Sequence, residues 1–156
     1  MEQGRVKKIL SFCRNIDGEI KLKNDVLRDY EDVYYTSRGS DMLDGMPRSK
    51  YQTSNPTEAI ILNVPNSVYT AMQGIREDIE RLAALKAAIL TELDKLPLTH
   101  KNILYYFYIK GLQWVQISVR VNYSLTQCKK IRNRGLGFLA KHFAENDLIK
   151  NFNYPR

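Results

Sequence analysis

The chain has 156 residues, 44% of them hydrophobic, with 24 Lys and Arg against 17 Asp and Glu for a net charge of +7. That length buries a core as one compact domain, or as a small domain plus an extended helical part, and the basic balance fits nucleic acid, an anionic membrane surface or an acidic partner. Two isolated cysteines, Cys13 and Cys128, and no histidine cluster argue against zinc. The absence of a long apolar run argues against a secretory leader or a membrane span, so a reducing cytoplasm is expected.

In chain order, residues 4–36 predict one or two helices. Ile9, Phe12, Ile16, Ile20, Leu27, Tyr30 and Tyr34 recur near the helical period, and Gly18 is the expected point of fraying. Residues 37–57 change texture: Gly39, Gly45, Pro47 and Pro56 punctuate Ser, Asp and Asn, which reads as a linker or an ordered loop, with disorder the safer expectation and Arg48 and Lys50 in solvent. Thr57–Asn63 reads as a short helical turn interrupted by Pro65. From Asn66 to Lys95 a long helix is expected. Its seam, Met72, Ile75, Ile79, Leu82, Ile89, Leu93 and Leu96, alternates steps of three and four, with Lys86 as its one polar member. Two arrangements bury such a seam: an antiparallel hairpin with the first helix, or a coiled coil between two copies of the chain. Pro97 ends the helix.

The positive charge is concentrated after that point. Residues 98–156 hold ten Lys and Arg against two acids, whereas residues 1–97 are nearly neutral. Thr99 is placed to cap a helix running to Lys110, with Gly111 at its exit. A short helix is expected over Trp114–Val121. Asn122 follows where the turn needs a left-handed backbone, which asparagine tolerates. Ser124 and Gln127 then form the S-x-x-Q capping pair of the next helix, and Tyr123 and Cys128 are spaced as a hydrophobic staple across it.

On this last helix Cys128, Ile131, Phe138 and Leu139, with Gly135 between, share the inward side. Ile117 and Val121 are expected to pack against Cys128 and Ile131, and Ser118 is small enough for a close crossing. Thr126, Lys129, Lys130 and Asn133 are left outward at i, i+3, i+4 and i+7, flanked by Ser124 and Arg134. An acid-free face of this composition suits phosphates through Lys and Arg, and base edges through Thr, Asn and Lys. The N-terminal end of such a helix enters the major groove. The candidate DNA-binding residues are Ser124, Thr126, Gln127, Lys129, Lys130, Asn133 and Arg134.

The segment YIKGLQWVQISVRVNYSLTQCKKIRN resembles the region-4 module of sigma-70-type factors. The whole layout, with GMPRS (Gly45–Ser49) and NPTE (Asn55–Glu58) ahead of a long helix, resembles small phage transcriptional regulators of the RinA/ArpU type. The resemblance implies a prophage or phage regulator, an activator of late genes in the cytoplasm of a bacterial host. It implies double-stranded DNA as ligand, with bacterial RNA polymerase or a second copy of the chain as further partners. Gln113 stands where that module usually has Ser or Thr, Ser118 replaces its usual Ala, and Asn122 its usual Gly. No region-2 segment is present, which disfavours a complete sigma factor.

The fold expected is all-α: a helical hairpin or coiled coil over residues 1–97 with a loop at 37–57, a helix-turn-helix domain over 98–145, and a tail over 146–156. Two other classes share this layout. One is a small terminase-like DNA-packaging protein; the other is an adaptor that binds polymerase and little DNA. No phosphate loop, nucleophile elbow or His-Glu metal motif is present, so no enzymatic activity and no cofactor are expected. Trp114 and Cys128 read as core residues. The pairs Tyr34–Tyr35 and Tyr105–Tyr106 read as packing residues, and His100 and His142 as surface polar groups.

Overall fold

The computed structural model describes the backbone of residues 1–41 and 56–154 and the side chains of residues 1–36 and 66–154. Among the described residues every regular element is helical, as the all-α reading requires: α1 (Gln3–Asp41), α2 (Pro56–Asp94), α3 (Leu98–Leu104) continuing as a π-helical turn (Tyr105–Ile109), α4 (Trp114–Val121), α5 (Leu125–Glu145) and α6 (Asp147–Asn151). None of them is long and apolar enough to cross a membrane.

α1 and α2 are longer and less broken than their sequences predict. α1 passes through Gly18 without a break. A helical glycine costs about 0.5–1 kcal/mol, and the buried Ile16 and the ion pair of Asp17 with Lys86 (2.5 Å) hold the helix beside it. Within the loop expected over 37–57, residues 37–41 instead continue α1 and Pro56 opens α2; residues 42–55, with Gly45–Ser49, Arg48 and Lys50, lie outside the described residues. Nor does Pro65 interrupt α2. A proline there removes one backbone donor, a local cost of about 3 kcal/mol that the remainder of a 39-residue helix absorbs.

The chain forms two compact units, and their boundary is not at residue 97. One unit comprises Glu19–Arg81, the other Met1–Gly18 with Leu82–Arg156. In the first, α1 and α2 run antiparallel. Lys23 pairs with Asp78 and Glu31 with Arg76, both at 2.8 Å, and Tyr34 meets Tyr69 with ring centroids 6.3 Å apart. Of the two arrangements open to the α2 seam, this is the hairpin within one chain. Val68 and Met72 are buried there, Ile75 and Ile79 only half-buried. Tyr35 is 66% exposed, so it is not a packing residue; its ring only edges onto its neighbour Tyr34.

The second unit has the larger core. Val6, Ile9, Leu10, Cys13 and Ile16 of α1 are buried, as are Leu82, Leu85, Ile89, Leu93 and Leu96 at the end of α2 and its exit. Lys86 is not in that seam. Leu85 takes the buried position, and Lys86 lies at the edge with its ammonium shared between both Asp17 carboxylate oxygens (2.5 and 2.7 Å). Nor do residues 146–154, the described part of the expected tail, hang free. Ile149 is fully buried, Arg5 donates to the Lys150 carbonyl (2.6 Å), and Phe152 and Tyr154 pack their rings on Phe12. Burial pushes the Tyr154 phenol up to about 12 and the Cys13 thiol up to about 11, so neither ionises near neutrality. The helix-turn-helix is thus built into a unit that draws on both ends of the chain.

Candidate nucleic-acid interface

α3, α4 and α5 meet around Ile103, Ile117, Cys128 and Ile131, with Phe107, Leu112, Trp114 and Val121 packed against that cluster. Each boundary has a local cause. Pro97, not Thr99, is the N-cap of α3: its carbonyl accepts from the Lys101 N–H (3.0 Å), and the helix is already under way at Leu98. At the far end the Lys110 N–H reaches the Tyr105 carbonyl (2.9 Å), closing the π turn. Gly111 follows at φ +67°. That backbone conformation calls for glycine; the nearest group to a β-carbon there would be the Arg14 guanidinium at 2.5 Å, the end of a flexible side chain that can move aside. Gln113, an unusual residue at the start of α4, is compensated by Gln116, whose Oε1 accepts from the Gln113 N–H (3.0 Å).

The turn between α4 and α5 forms as its residues dictate. Asn122 adopts φ 57°, ψ 40°, and the Tyr123 N–H bonds to the Ser118 carbonyl (3.3 Å). Ser124 caps α5, its Oγ accepting from the Gln127 N–H (3.2 Å). In place of the expected hydrophobic staple, the buried Cys128 thiol donates to the Tyr123 backbone carbonyl (3.7 Å), while the Tyr123 side chain is exposed. Burial raises the Cys128 thiol above its ordinary range, which suits a core residue.

α5 buries one arc along its first turns and another along its last. Cys128, Ile131 and Gly135 face α3 and α4, and Gly135 lets Leu104 approach to where a β-carbon would be 2.8 Å away. Beyond Gly135 the buried residues are Leu136, Leu139, Ala140 and Phe143, about a quarter-turn round the helix. Phe138, predicted to face inward, falls outside both arcs and is 45% exposed, its ring edge-on to His100. The inward arc swings because the partners change; near the C-terminal end Ala140 accepts from the N-terminal ammonium (3.0 Å). Leu136 is the core residue the simple period misses.

The outward residues are placed as expected. Ser124, Thr126, Gln127, Lys129, Lys130, Asn133 and Arg134 are all exposed, on a helix whose first acid is Glu145. Spacing brings Thr126, Lys129, Lys130 and Asn133 onto one stripe, with Ser124 and Gln127 spending cap atoms on α5 itself. Sequence reasoning misses Arg132. Its guanidinium lies over Trp114 (5.2 Å) and Phe107 (5.8 Å), which are themselves stacked at 4.3 Å, and its Nε and Nη2 both donate to Asn133 Oδ1 (3.1 and 2.8 Å). Only the adjacency of a basic residue to an outward asparagine hints at this. Lys110 and Arg120 lie similarly over Tyr105 and Tyr106. Comparison with protein-family models, with curated proteins and with solved structures finds no match to this chain. The reading of the site therefore rests on its geometry.

Neither histidine is a simple surface group. His142 Nδ1 is buried, 3.9 Å from the Glu92 carboxylate. Burial would push Glu92 up, but hydrogen bonds from Lys95 and Asn146 outweigh it and hold the carboxyl below its usual range. The ring nitrogens of His100 are buried without a hydrogen-bond partner among the described residues. Burial first, and the Arg134 charge second, lower its pKa from 6.5. The folded protein thus keeps His100 neutral while the unfolded chain takes up a proton as pH falls below about 6.5. Stability should be flat above that pH and decline below it until the folded-state pKa is passed. Melting temperatures at pH 8 and pH 5.5 check this: His100→Phe should remove the decline, and an unchanged decline would assign it to another group.

Proposed function

We propose that the chain is a sequence-specific DNA-binding regulator of transcription, with α5 lying in the major groove and no chemistry of its own. The observation that carries this is the α4–turn–α5 unit: a left-handed Asn122, a capped α5, and an outward stripe of Thr126, Lys129, Lys130 and Asn133 without an acid. Lys129, Lys130 and Arg134 supply phosphate contacts, and Thr126 and Asn133 supply base discrimination. The concentration of positive charge after residue 98 supports the same reading. By its resemblance to RinA/ArpU-type regulators, the proposal extends to activation of phage late genes in a bacterial host cytoplasm, with RNA polymerase as a partner.

Binding of the full chain to duplex DNA, measured over a salt series, tests this reading. With about six phosphate contacts, log K should fall against log salt with a slope of about −5. Footprinting across the host genome should then return one motif. Association that is insensitive to salt, or no retention of any duplex at low salt, would reject it.

A further inference from the structure

We propose that Arg132 fixes the hydrogen-bonding polarity of Asn133, so that Asn133 reads guanine and rejects the adenine that an unconstrained asparagine would choose. The inference rests on the reading of α5 as a DNA-recognition helix and specifies what one position of that helix recognises.

An asparagine pairs with the major-groove edge of adenine by using both ends of its amide. Its oxygen accepts from N6–H and its nitrogen donates to N7. Here the oxygen is already engaged. Nε and Nη2 of Arg132 both donate to Asn133 Oδ1, at 3.1 and 2.8 Å, which occupies its two lone pairs with charge-assisted bonds. The Nδ2 group, with two donors, is left for a ligand.

This orientation is locked from beneath. The Arg132 guanidinium is held over the rings of Trp114 and Phe107, and those rings pack on the buried cluster of Ile103, Ile117, Cys128 and Ile131. A flip of the Asn133 amide would set Nδ2–H against guanidinium N–H, donor against donor beside a positive charge. Asn133 is exposed at the end of this stack, on the stripe that carries Lys129 and Lys130. A group that only donates fits guanine best, because guanine presents two acceptors, O6 and N7. Adenine sets a donor beside its one acceptor, and cytosine presents a donor. Arg132 is thus a positioning residue and Asn133 the reader.

Selection of binding sites from a random duplex library, with the full chain and its Asn133→Ala and Arg132→Met variants, tests this. One position of the wild-type motif should lose its preference in Asn133→Ala. At that position the wild type should enrich a G·C pair over A·T on the order of ten-fold, the lower range for one well-made base contact. Arg132→Met keeps an unbranched stem against the rings but removes the donors, freeing Oδ1, so the same position should shift toward A·T while the others stay fixed. Where circular dichroism shows Arg132→Met to be unfolded, Arg132→Leu, which also lacks any donor, replaces it with the same expected shift. An A·T pair at that position in the wild type, no position that depends on Asn133, or a base identity unmoved by the Arg132 variants would overturn the inference and leave DNA recognition standing. A wild type that enriches no sequence would overturn both.

Discussion

Ile117→Ala is expected to lower the stability of the helix-turn-helix by about 2–5 kcal/mol, the usual cost of emptying a fully buried isoleucine site. Ile117 is the fully buried residue of α4, and it seats that helix on Ile103, Cys128 and Ile131. The loss combines the apolar surface no longer buried with a cavity that three separate helices cannot close together. Trp114 is the single tryptophan of the chain and stacks on Phe107 beside this cluster, so its fluorescence in a denaturant titration reports the site itself. Val119→Ala, on the same helix but 73% exposed, should fall within about 0.5 kcal/mol of wild type. A change below about 1 kcal/mol for Ile117→Ala would show that something other than this cluster holds α4.

The second large effect is on binding. Replacing both Lys129 and Lys130 with alanine should flatten the salt dependence of DNA binding by about two units of slope, since each phosphate contact contributes about 0.9. Extrapolated from 1 M to about 0.1 M salt, the loss of two such contacts weakens binding on the order of 50–100-fold. Random and selected duplexes should weaken alike, because phosphate contacts carry no base information. Both lysines are exposed and neither contributes to the core, so the fold should be unchanged. A variant that binds with the wild-type slope would remove these lysines from the interface, whatever else contacts the DNA.

Much of the candidate site is legible in the amino-acid sequence. Asn122, Ser124, Cys128 and Ile117 stand in local positions where few residue types work, so turn, cap and core contact each leave a mark on the chain. The outward stripe follows from the same register, because a helix that buries Cys128 and Ile131 must expose Lys129, Lys130 and Asn133. Other features are hidden because they depend on elements distant in sequence. The exposure of Phe138 and the burial of Leu136 reflect a change of packing partner along α5, which no single period describes. Thr99 has no cap role because Pro97 has already started the helix.

What the sequence by itself determined is a helical chain with its positive charge gathered after residue 98 and a turn-helix boundary at Asn122–Ser124. These are short-range matters of backbone preference, capping and spacing. Only the tertiary structure decided that α1 pairs with α2 inside one chain, and that the first eighteen residues and the C-terminal segment belong to the same unit as the helix-turn-helix. It alone set Arg132 over Trp114 with both its donors on Asn133. Hydrophobic burial is non-directional, so a seam in the sequence says that a face will be covered but not by what. A hydrogen bond or a cation over a ring depends on where backbones from different elements come to rest, which is fixed only once the core has closed.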